Sequence, residues 1–359
     1  MAPEPAIDPA VALQQWSLPE PWSVDLASAG ANNTSLFVGT PVDRYILRLY
    51  AQGDPASVRY EHGLLVALTA AELPFAVPLP VLTRDGQTFA RVGMGESEVL
   101  ASLTPVLPGT HPDPNNPRHV RLAGVALARL GQALASIVPP AGRAQYRAFG
   151  DLRRFHPLLD DPTEAIAAIP GLGEPDKRRL MEMVAIVEDV APSLYAQLPR
   201  RIIHRDYYAP NVLLTDGAVS AVLDFEFAGE DLRALDVVVV LAWWLLWGTE
   251  QDRWTVCEAF ARGYASLEPL APAEAEAVPT LARLQFATFL MHSVGRYRAG
   301  LAGWGEIATY VAQLALAFLA WLTPNEPVLT ERLVAWTARH ETPRHDMLDT
   351  CLPPPVAEW

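Results

Sequence analysis

The sequence predicts an α+β protein with two lobes, a small β-rich N-lobe followed by a larger and mostly helical C-lobe. Strand-like apolar runs, separated by turn residues, dominate the chain as far as about residue 104. Beyond that point, long Ala- and Leu-rich segments show helical spacing. At 359 residues, half of them hydrophobic, the chain is long enough to bury more than one core.

Four segments follow from these patterns. We expect an N-terminal extension over residues 1–24, the N-lobe over 25–104, the C-lobe over 105–322, and a Pro-rich C-terminal extension over 323–359. A loop rich in Pro and Asn near 105–117 marks the change of composition between the lobes. A short linker near 100–107 is therefore expected to join them.

The N-lobe shows two clear strands and one helix. Leu36–Val38 and Tyr45–Tyr50 are apolar runs on either side of a turn-like break. Val58–Leu73 has apolar residues at helical spacing. After a stretch punctuated by prolines, two more short strands are expected around residues 84–86 and 94–95. These elements predict a small β-rich unit that carries one helix.

The C-lobe is predicted to be helical except for one hairpin. The expected helices lie near 118–138, 174–198, 234–247, 252–266, 280–299 and 305–322. Between the second and third of these, an apolar run over 201–203 leads into a polar loop. Strands over 211–214 and 219–225 follow, joined by a Thr-Asp-Gly-Ala turn.

Composition excludes several classes of partner. A net charge of −14 argues against binding to nucleic acid or to anionic membranes, which require a basic surface. The two cysteines, Cys257 and Cys351, lack metal-ligand spacing and are interpreted as free thiols in a reducing compartment. The N-terminus does not resemble a signal peptide. The longest strongly apolar run, 237–247, is too short to span a bilayer. We therefore expect a cytoplasmic protein.

The segment HRDYYAPNVL, His204–Leu213, is the most informative motif. In phosphoryl transfer from ATP, the Asp of H-x-D-x-x-x-x-N meets the acceptor hydroxyl, and the Asn reaches a magnesium ion. A second Asp on the following strand holds metal that bridges the phosphates. Here these residues are Asp206, Asn211 and Asp224. His204 is the second candidate catalytic residue, and we expect it to brace the loop rather than to act as base.

The predicted hairpin supports this interpretation. A hairpin over 211–225 would return Asp224 to the side of Asn211, so that both can bind the same cations. The alternative is that Asp206 and Asn211 merely turn a surface loop, as Asp and Asn often do. An Asp placed at the far end of the hairpin favours the catalytic interpretation.

Three stretches, HRDYYAPNVLL, VLDFEFAG and LRALD, carry a resemblance to a known family. The chain resembles the aminoglycoside phosphotransferase and choline kinase superfamily, which has the protein-kinase-like fold, over roughly residues 25–300. The likeness is strongest to homoserine kinase type II-like small-molecule kinases. The resemblance implies that ATP and Mg²⁺ bind between the lobes, and that phosphate passes to a hydroxyl of a small molecule.

The resemblance also implies nucleotide-binding residues in the N-lobe. Gly30 and Asn33 lie where the family's loop covers the phosphates, although a Gly and two Asn also mark an ordinary hairpin turn. Arg48 stands where the fold usually has Lys, with Glu61 as its expected partner, and an exposed strand Arg is the alternative. Leu103 lies in the linker whose backbone would meet the adenine edge.

The acceptor is expected to be small. Asp236 follows Asp224 by only twelve positions, and no A-P-E motif follows, so the chain has no evident platform for a protein substrate. Candidate acceptor-site residues are Tyr207, Tyr208, Glu226, His292 and Arg296. The two basic side chains could bind a carboxylate or phosphate, but a solvated helix end would explain them equally well.

Three functions remain open at this point. The leading one is an ATP-dependent kinase of an amino acid, an amino alcohol or a similar metabolite. The second is the same chemistry on an aminoglycoside or another antibiotic, which requires an acidic acceptor cleft. The third is a catalytically silent nucleotide-binding module, suggested by Arg48 in place of Lys. The presence of Asp206, Asn211 and Asp224 together argues against the third, because binding alone needs no base. The sequence does not indicate an oligomeric state.

Overall fold

The computed structural model describes residues 7–29, 33–50, 54–93, 98–247, 250–301 and 303–338. It shows an antiparallel sheet of five strands followed by a mainly helical region, which confirms the predicted α+β class. The strand order is β1-β2-β3-β5-β4. The strands are β1 Ser23–Ala29, β2 Asn33–Gly39, β3 Arg44–Tyr50, β4 Ala90–Val92 and β5 Val99–Pro105.

Two helices pack with this sheet, α1 Pro9–Leu13 and α2 Pro55–Leu68. Asp54 caps α2, because its carboxylate accepts a hydrogen bond from the Ala56 N–H at 3.0 Å, and Pro55 takes the first helical position. The same carboxylate pairs with Arg143 of the C-lobe at 2.8 Å. This cap therefore also contacts the second lobe.

The segment ahead of the sheet belongs to the N-lobe core. Leu13 and Trp16 are fully buried and pack in one cluster with the apolar face of the sheet. The Trp16 indole N–H donates to the Val81 carbonyl oxygen at 2.9 Å. Part of the predicted N-terminal extension thus contributes to the stability of the lobe, while the domain boundaries themselves stay a prediction.

Seven helices are described in the C-lobe. They are α3 Pro117–Ala135, α4 Pro162–Ala167, α5 Glu174–Gln197, α6 Ala234–Trp247, α7 Glu250–Ala265, α8 Pro272–Arg298 and α9 Trp304–Thr337. Two small antiparallel sheets lie among them. One pairs β6 Arg200–Ile203 with β9 Gly229–Leu232, and the other pairs β7 Val212–Thr215 with β8 Ala218–Val222. The hairpin β7–β8 is the one that the sequence predicts.

The last helix is longer than the sequence indicates. The prolines at 324 and 327 suggest an end near residue 322, yet α9 continues to Thr337. A proline inside a helix costs about 3 kcal/mol. Beyond the prolines, however, Leu329, Leu333 and Trp336 are buried in the C-lobe core. Their burial offsets the penalty and keeps this part of the chain helical.

Within the described residues, α9 is the one helix long and apolar enough to cross a membrane by length and composition. In the structure it packs along α8 and places a row of side chains in the C-lobe core. A core helix can satisfy the same length and composition test. Cys257 is buried in α7, and Cys351 lies outside the described residues.

Candidate active site

The predicted catalytic loop begins where β6 ends, and Asp236 at the start of α6 holds it. One carboxylate oxygen of Asp236 accepts the His204 N–H at 3.0 Å, and the other accepts the Arg205 N–H at 2.7 Å. Burial raises the pKa of Asp236 to about 6 in spite of these bonds. Two adjacent amides are therefore fixed by a single buried carboxyl group.

Arg205 holds the loop in an unusual backbone conformation. Its φ of +64° lies in the left-handed region, which is unfavourable for a bulky residue. Its side chain is 1% exposed and forms a buried ion pair with Asp231 at 3.1 Å. The guanidinium also donates to backbone carbonyl oxygens of Tyr146, Arg147 and Glu230. These contacts stabilise a strained turn directly before Asp206.

Asp206 and Asn211 are in direct contact. The Asn211 amide nitrogen donates to the Asp206 backbone oxygen at 2.8 Å and to its Oδ2 at 2.9 Å. Burial and the charge of Asp224 raise the pKa of Asp206 well above its ordinary value, although the bond from Asn211 opposes the shift. Because Nδ2 makes both bonds, Oδ1 is the Asn211 atom that remains to bind a cation.

Both ring nitrogens of His204 form hydrogen bonds with the backbone around the catalytic loop. Its Nδ1 accepts the Asp206 N–H at 3.2 Å, so the other ring nitrogen, Nε2, donates to the Leu223 carbonyl oxygen at 2.9 Å. Burial lowers the pKa of His204 to about 4. A neutral imidazole with both nitrogens bonded to the chain has no atom left for a substrate proton.

Asp224 faces the N-lobe across the cleft. Its Oδ1 lies 3.4 Å from the Arg48 guanidinium, which also contacts the Glu61 carboxylate at 3.4 Å. The predicted pair of Arg48 and Glu61 is therefore formed, and it extends to the second lobe. Burial raises the pKa of Glu61 to about 8, opposed by Arg48. Asp224 itself has φ +58°, a second strained residue in the loops that bear the site.

The donor set fits a magnesium ion shared with phosphates. Asp224 and Asn211 offer carboxylate and amide oxygens, the ligands that Mg²⁺ prefers. Among the described residues there is no group of three or more His, Cys, Asp or Glu side chains that could hold a metal by itself. Mg²⁺ in kinase sites is typically bound by one or two carboxylates together with substrate phosphates. The site therefore suits a metal that arrives with the nucleotide.

Glu226, which directly follows Phe225 and Asp224, is bonded from both lobes. Its Oε2 accepts the Asn33 amide N–H of β2 at 2.8 Å. Its Oε1 accepts from the Gln145 amide at 3.0 Å and from the Tyr146 hydroxyl at 3.4 Å. Glu226 is 8% exposed, and its charge contributes to the raised pKa of Asp206. The charge of Glu226 therefore acts on the carboxyl group of Asp206.

A cluster of aromatic rings borders Glu226. Tyr146 stacks on Phe227 at 4.2 Å and meets the His292 ring edge-on at 5.3 Å. His292 in turn packs against Trp304, over which the Arg296 guanidinium lies at 4.8 Å. Burial lowers the pKa of Arg296 below its ordinary value, although the charges of Tyr146 and Glu226 oppose this shift. We call the rings of Tyr146, Phe155, Phe227, His292 and Trp304 the aromatic cluster.

The remaining predicted residues are placed as follows. Tyr207 points into the core, where its hydroxyl donates to the Ala123 carbonyl oxygen at 2.9 Å. Tyr208 is half-buried, and burial together with Asp206 and Asp224 raises its pKa to about 12. Leu103 is buried in β5, and its carbonyl oxygen accepts the Val81 N–H at 2.7 Å. Gly30 lies outside the described residues.

One of these placements differs from the prediction. Tyr207 follows Asp206 in sequence, but its side chain packs against α3 rather than facing the cleft. The Leu103 carbonyl oxygen accepts one hydrogen bond within the N-lobe and keeps a second lone pair, so its expected contact with the adenine edge stays a prediction. Gln145 is a site residue that the sequence analysis missed, since no motif marks it. Only its approach to Glu226 reveals it.

Comparison with known proteins agrees with this geometry. The family model described as "Phosphotransferase enzyme family" matches residues 23–270. The chain belongs to this family. The phosphotransferase is 32% identical over 266 residues to a homoserine kinase of Acidiphilium cryptum, covering 73% of this chain and 77% of the relative. It is 30% identical over 324 residues to a homoserine kinase of Phenylobacterium zucineum, covering 90% of each chain.

Solved structures show the same fold. The phosphotransferase resembles a microcompartment-associated aminopropanol kinase with a TM-score of 0.70 and 19% identity, covering 90% of this chain and 98% of the other. The predicted protein-kinase-like two-lobe fold is thereby confirmed, as is the resemblance to the superfamily. The phosphotransferase is a small-molecule kinase that uses ATP and a hydroxyl acceptor.

Proposed function

We propose that this kinase phosphorylates the side-chain hydroxyl of homoserine. One observation carries the proposal. A carboxylate, Glu226, and a guanidinium, Arg296, border the same aromatic cluster, and the charge of Glu226 contributes to the raised pKa of Asp206. An amino acid carries an ammonium and a carboxylate, so a site with one fixed anion and one fixed cation complements both. The homoserine kinases among the relatives support this choice of acceptor.

Asp206 is the proposed base. Its carboxylate is oriented by the Asn211 amide at 2.9 Å, and its backbone is fixed through the neighbouring amide that Asp236 holds. A raised pKa increases the basicity of the carboxylate, which favours taking the proton of the acceptor hydroxyl as the bond to phosphorus forms. His204 keeps the loop in shape and takes no proton.

Arg48 is the proposed phosphate-binding residue of the N-lobe. In the structure it contacts Asp224 and Glu61, and a planar guanidinium can exchange the first contact for phosphate oxygens. Asn211 and Asp224 would hold Mg²⁺, which supplies positive charge to the phosphates. Positioning and charge neutralisation of this kind account for most of the catalysis in phosphoryl transfer.

Three matched acceptors test the proposed substrate. Homoserine carries both charged groups, 3-amino-1-propanol lacks the carboxylate, and 4-hydroxybutanoate lacks the ammonium. We expect kcat/KM, measured by ADP release, to be highest for homoserine. Each missing charged hydrogen bond should lower it by about ten- to a hundredfold, corresponding to roughly 1.5–3 kcal/mol.

Two substitutions assign the charged groups. Glu226→Gln should reduce activity on homoserine and on 3-amino-1-propanol, but leave 4-hydroxybutanoate nearly unaffected. Arg296→Met should show the opposite pattern, with 3-amino-1-propanol as the unaffected acceptor. If both variants lower activity on all three acceptors equally, the two side chains do not recognise these charges. Higher activity on an aminoglycoside than on homoserine would favour the antibiotic kinase instead.

The proposed compartment is the cytoplasm, where ATP is available. The homoserine kinase relatives and the free thiol interpretation support this assignment. No protein or nucleic-acid partner is proposed, because the acidic chain and the small aromatic site favour neither.

A further inference from the structure

We infer that Arg143 is a positioning residue for the reaction, and this inference rests on the proposed roles of Asp206 and Glu226. Arg143 lies in the segment 139–150, which follows α3 and contains neither helix nor strand. Near its start this segment is docked on helix α2 of the N-lobe. A few residues later it contacts Glu226 and Arg205. Arg143 therefore joins α2 to the proposed acceptor site and to the residue that precedes the proposed base.

The contact with α2 involves both the side chain and the backbone. The Arg143 guanidinium donates to Asp54 Oδ2 from Nε at 3.0 Å and from Nη2 at 2.8 Å. Its backbone N–H donates to the Ala56 carbonyl oxygen at 3.3 Å. Gly142, with φ +106°, brings the chain so close that a Cβ there would lie 2.2 Å from the same oxygen. The segment is therefore held against the first turn of α2 at a distance that only glycine permits.

The residues that follow contact the catalytic side of the C-lobe. The Gln145 amide donates to Glu226 Oε1 at 3.0 Å. The Arg205 guanidinium donates to the carbonyl oxygens of Tyr146 at 3.2 Å and Arg147 at 3.0 Å. These two carbonyl oxygens help to hold Arg205 in its left-handed backbone conformation, directly before the proposed base.

The two sets of contacts are too close in sequence to move independently. Only two residues separate Arg143 from Tyr146, and consecutive Cα atoms are a fixed distance of about 3.8 Å apart. A shift of Arg143 away from α2 is therefore passed on to Gln145 and Tyr146, which contact Glu226 and Arg205. A misplacement by about 1 Å can cost about a hundredfold in rate. Docking on α2 should therefore affect kcat.

A double-variant cycle tests the contact. Arg143→Met removes the guanidinium, and Asp54→Ser removes its partner but keeps a residue type that caps a helix as well as Asp does. Each single variant should lower kcat with homoserine by about ten- to a hundredfold. The double variant should be no worse than either, because all of them lose the same contact. AMP-PNP affinity, measured by calorimetry, should stay within a few-fold of the wild type, whereas general destabilisation would not separate kcat from nucleotide binding in this way.

Conservative and control variants complete the set. Arg143→Lys keeps the ion pair and should recover most of the activity. Arg91→Met is the matched control, because Arg91 forms an exposed ion pair with Glu98 inside the N-lobe, and it should keep wild-type activity. The Arg143 pair is exposed as well, so its loss should change thermal stability little.

A substitution at Gly142 perturbs the same contact from the backbone. Gly142→Ala forces the segment off α2, so kcat should fall at least as much as in Arg143→Met. Gly171→Ala is its control, because Gly171 also has a positive φ but open space around its Cβ. It should keep kcat close to that of the wild type.

Hydrogen exchange provides a measurement that needs no acceptor. Mass spectrometry follows the peptide that contains residues 204–211 in the wild type, Arg143→Met and Arg91→Met. We expect its amides to exchange several-fold faster in Arg143→Met alone, because the catalytic loop opens more often when Arg205 loses its carbonyl contacts.

The outcomes separate this inference from the proposed substrate. If Arg143→Met leaves homoserine turnover unchanged, or if the two losses multiply in the double variant, the role of Arg143 is overturned and the substrate stands. Absence of homoserine turnover by the wild type overturns the substrate. In that case hydrogen exchange decides, and equal exchange of residues 204–211 in the wild type and Arg143→Met overturns the role of Arg143 as well.

Discussion

At the scale of single residues, Asp206 depends on its neighbours for both its position and its basicity. Asn211 orients its carboxylate, and burial with the charge of Asp224 raises its pKa. The strained Arg205 sets the direction of the chain just before it. These contacts favour the proposed catalytic role of Asp206 over that of an Asp that merely turns a loop, which was the alternative open from the sequence.

The prediction at this scale is for Asp206→Asn. The substitution keeps the shape of the side chain but removes the group that takes the proton, so turnover should fall by about 10²–10⁴-fold. AMP-PNP affinity, measured by calorimetry, should stay within a few-fold of the wild type. Thermal unfolding should show equal or higher stability, because a buried carboxyl group is replaced by a neutral amide. Turnover close to that of the wild type would contradict the role of Asp206.

At the scale of elements, α3 and α7 approach each other through glycines. A Cβ on Gly124 would lie 2.4 Å from the Phe260 backbone oxygen, and one on Gly263 would lie 2.3 Å from the Arg121 backbone oxygen. Backbone on each side leaves no flexible side chain that could move away. The two helices therefore pack at a distance that only glycine permits, beneath the β6 strand that leads to the catalytic loop.

Because of this packing, a Gly→Ala substitution at Gly124 should destabilise the protein rather than stabilise it. In an exposed helix, Gly→Ala stabilises by up to about 1 kcal/mol. Gly124→Ala should instead lower the free energy of unfolding by about 1–3 kcal/mol, since the new methyl group overlaps backbone. Urea denaturation measures the change. Gly305→Ala is the control, because its Cβ would meet side chains and no backbone, that of Tyr297 at 3.2 Å and that of Pro170 at 3.6 Å. A stabilised Gly124→Ala protein would show that α3 can shift.

At the scale of the whole molecule, burial of ionisable groups makes stability depend on pH. Burial lowers the pKa of His292 to about 3, that of His204 to about 4 and that of His62 to about 4. Between these values and about 6.5, the unfolded chain binds protons that the folded chain does not. Stability from the histidines is therefore complete above about pH 6.5 and is lost as the pH falls.

Two buried carboxyl groups change the stability with pH in the opposite direction. Burial raises the pKa of Asp236 to about 6 and that of Glu61 to about 8, so the folded chain holds protons that the unfolded chain releases. Their contribution is present at low pH and is lost as the pH rises through those values. Near pH 5, the buried histidines and the buried carboxyl groups change the stability in opposite directions. A single substitution is therefore needed to separate their contributions.

His292→Leu isolates one of these contributions. Leucine cannot bind a proton in either state, so the variant should lose less stability than the wild type when the pH falls from 6.5 to 4. The difference in the free energy of unfolding should reach up to about 3 kcal/mol. Chemical denaturation at several pH values measures it. The same pH dependence in both proteins would show that His292 is protonated in the folded state.

Prediction from sequence succeeded where function depends on local spacing. The positions of His204, Asp206, Asn211 and Asp224 follow from one loop and one hairpin, and a hairpin returns its ends to each other by simple geometry. The pair of Arg48 and Glu61 was also predictable, because a strand and the helix after it are neighbours. The roles assigned to these residues stay predictions.

Prediction failed where contacts join distant parts of the chain. Asn33 and Gln145 meet Glu226 from separations of 193 and 81 residues, and no sequence pattern relates them. Tyr207 was expected at the acceptor, but packing against α3 decided its direction. The helix α9 was expected to end at its prolines, yet burial of later residues in the core extended it to Thr337.

The sequence by itself determined the fold class, the phosphotransfer motif and the order of the two lobes, because each depends on hydrophobic period or on residues a few positions apart. Only the tertiary structure decided which residues surround Glu226, at the proposed acceptor site. That site is assembled from β2, the segment before α4, the residues after Asp224, and α8. Contacts across such separations arise from packing of the whole chain, which no local pattern encodes.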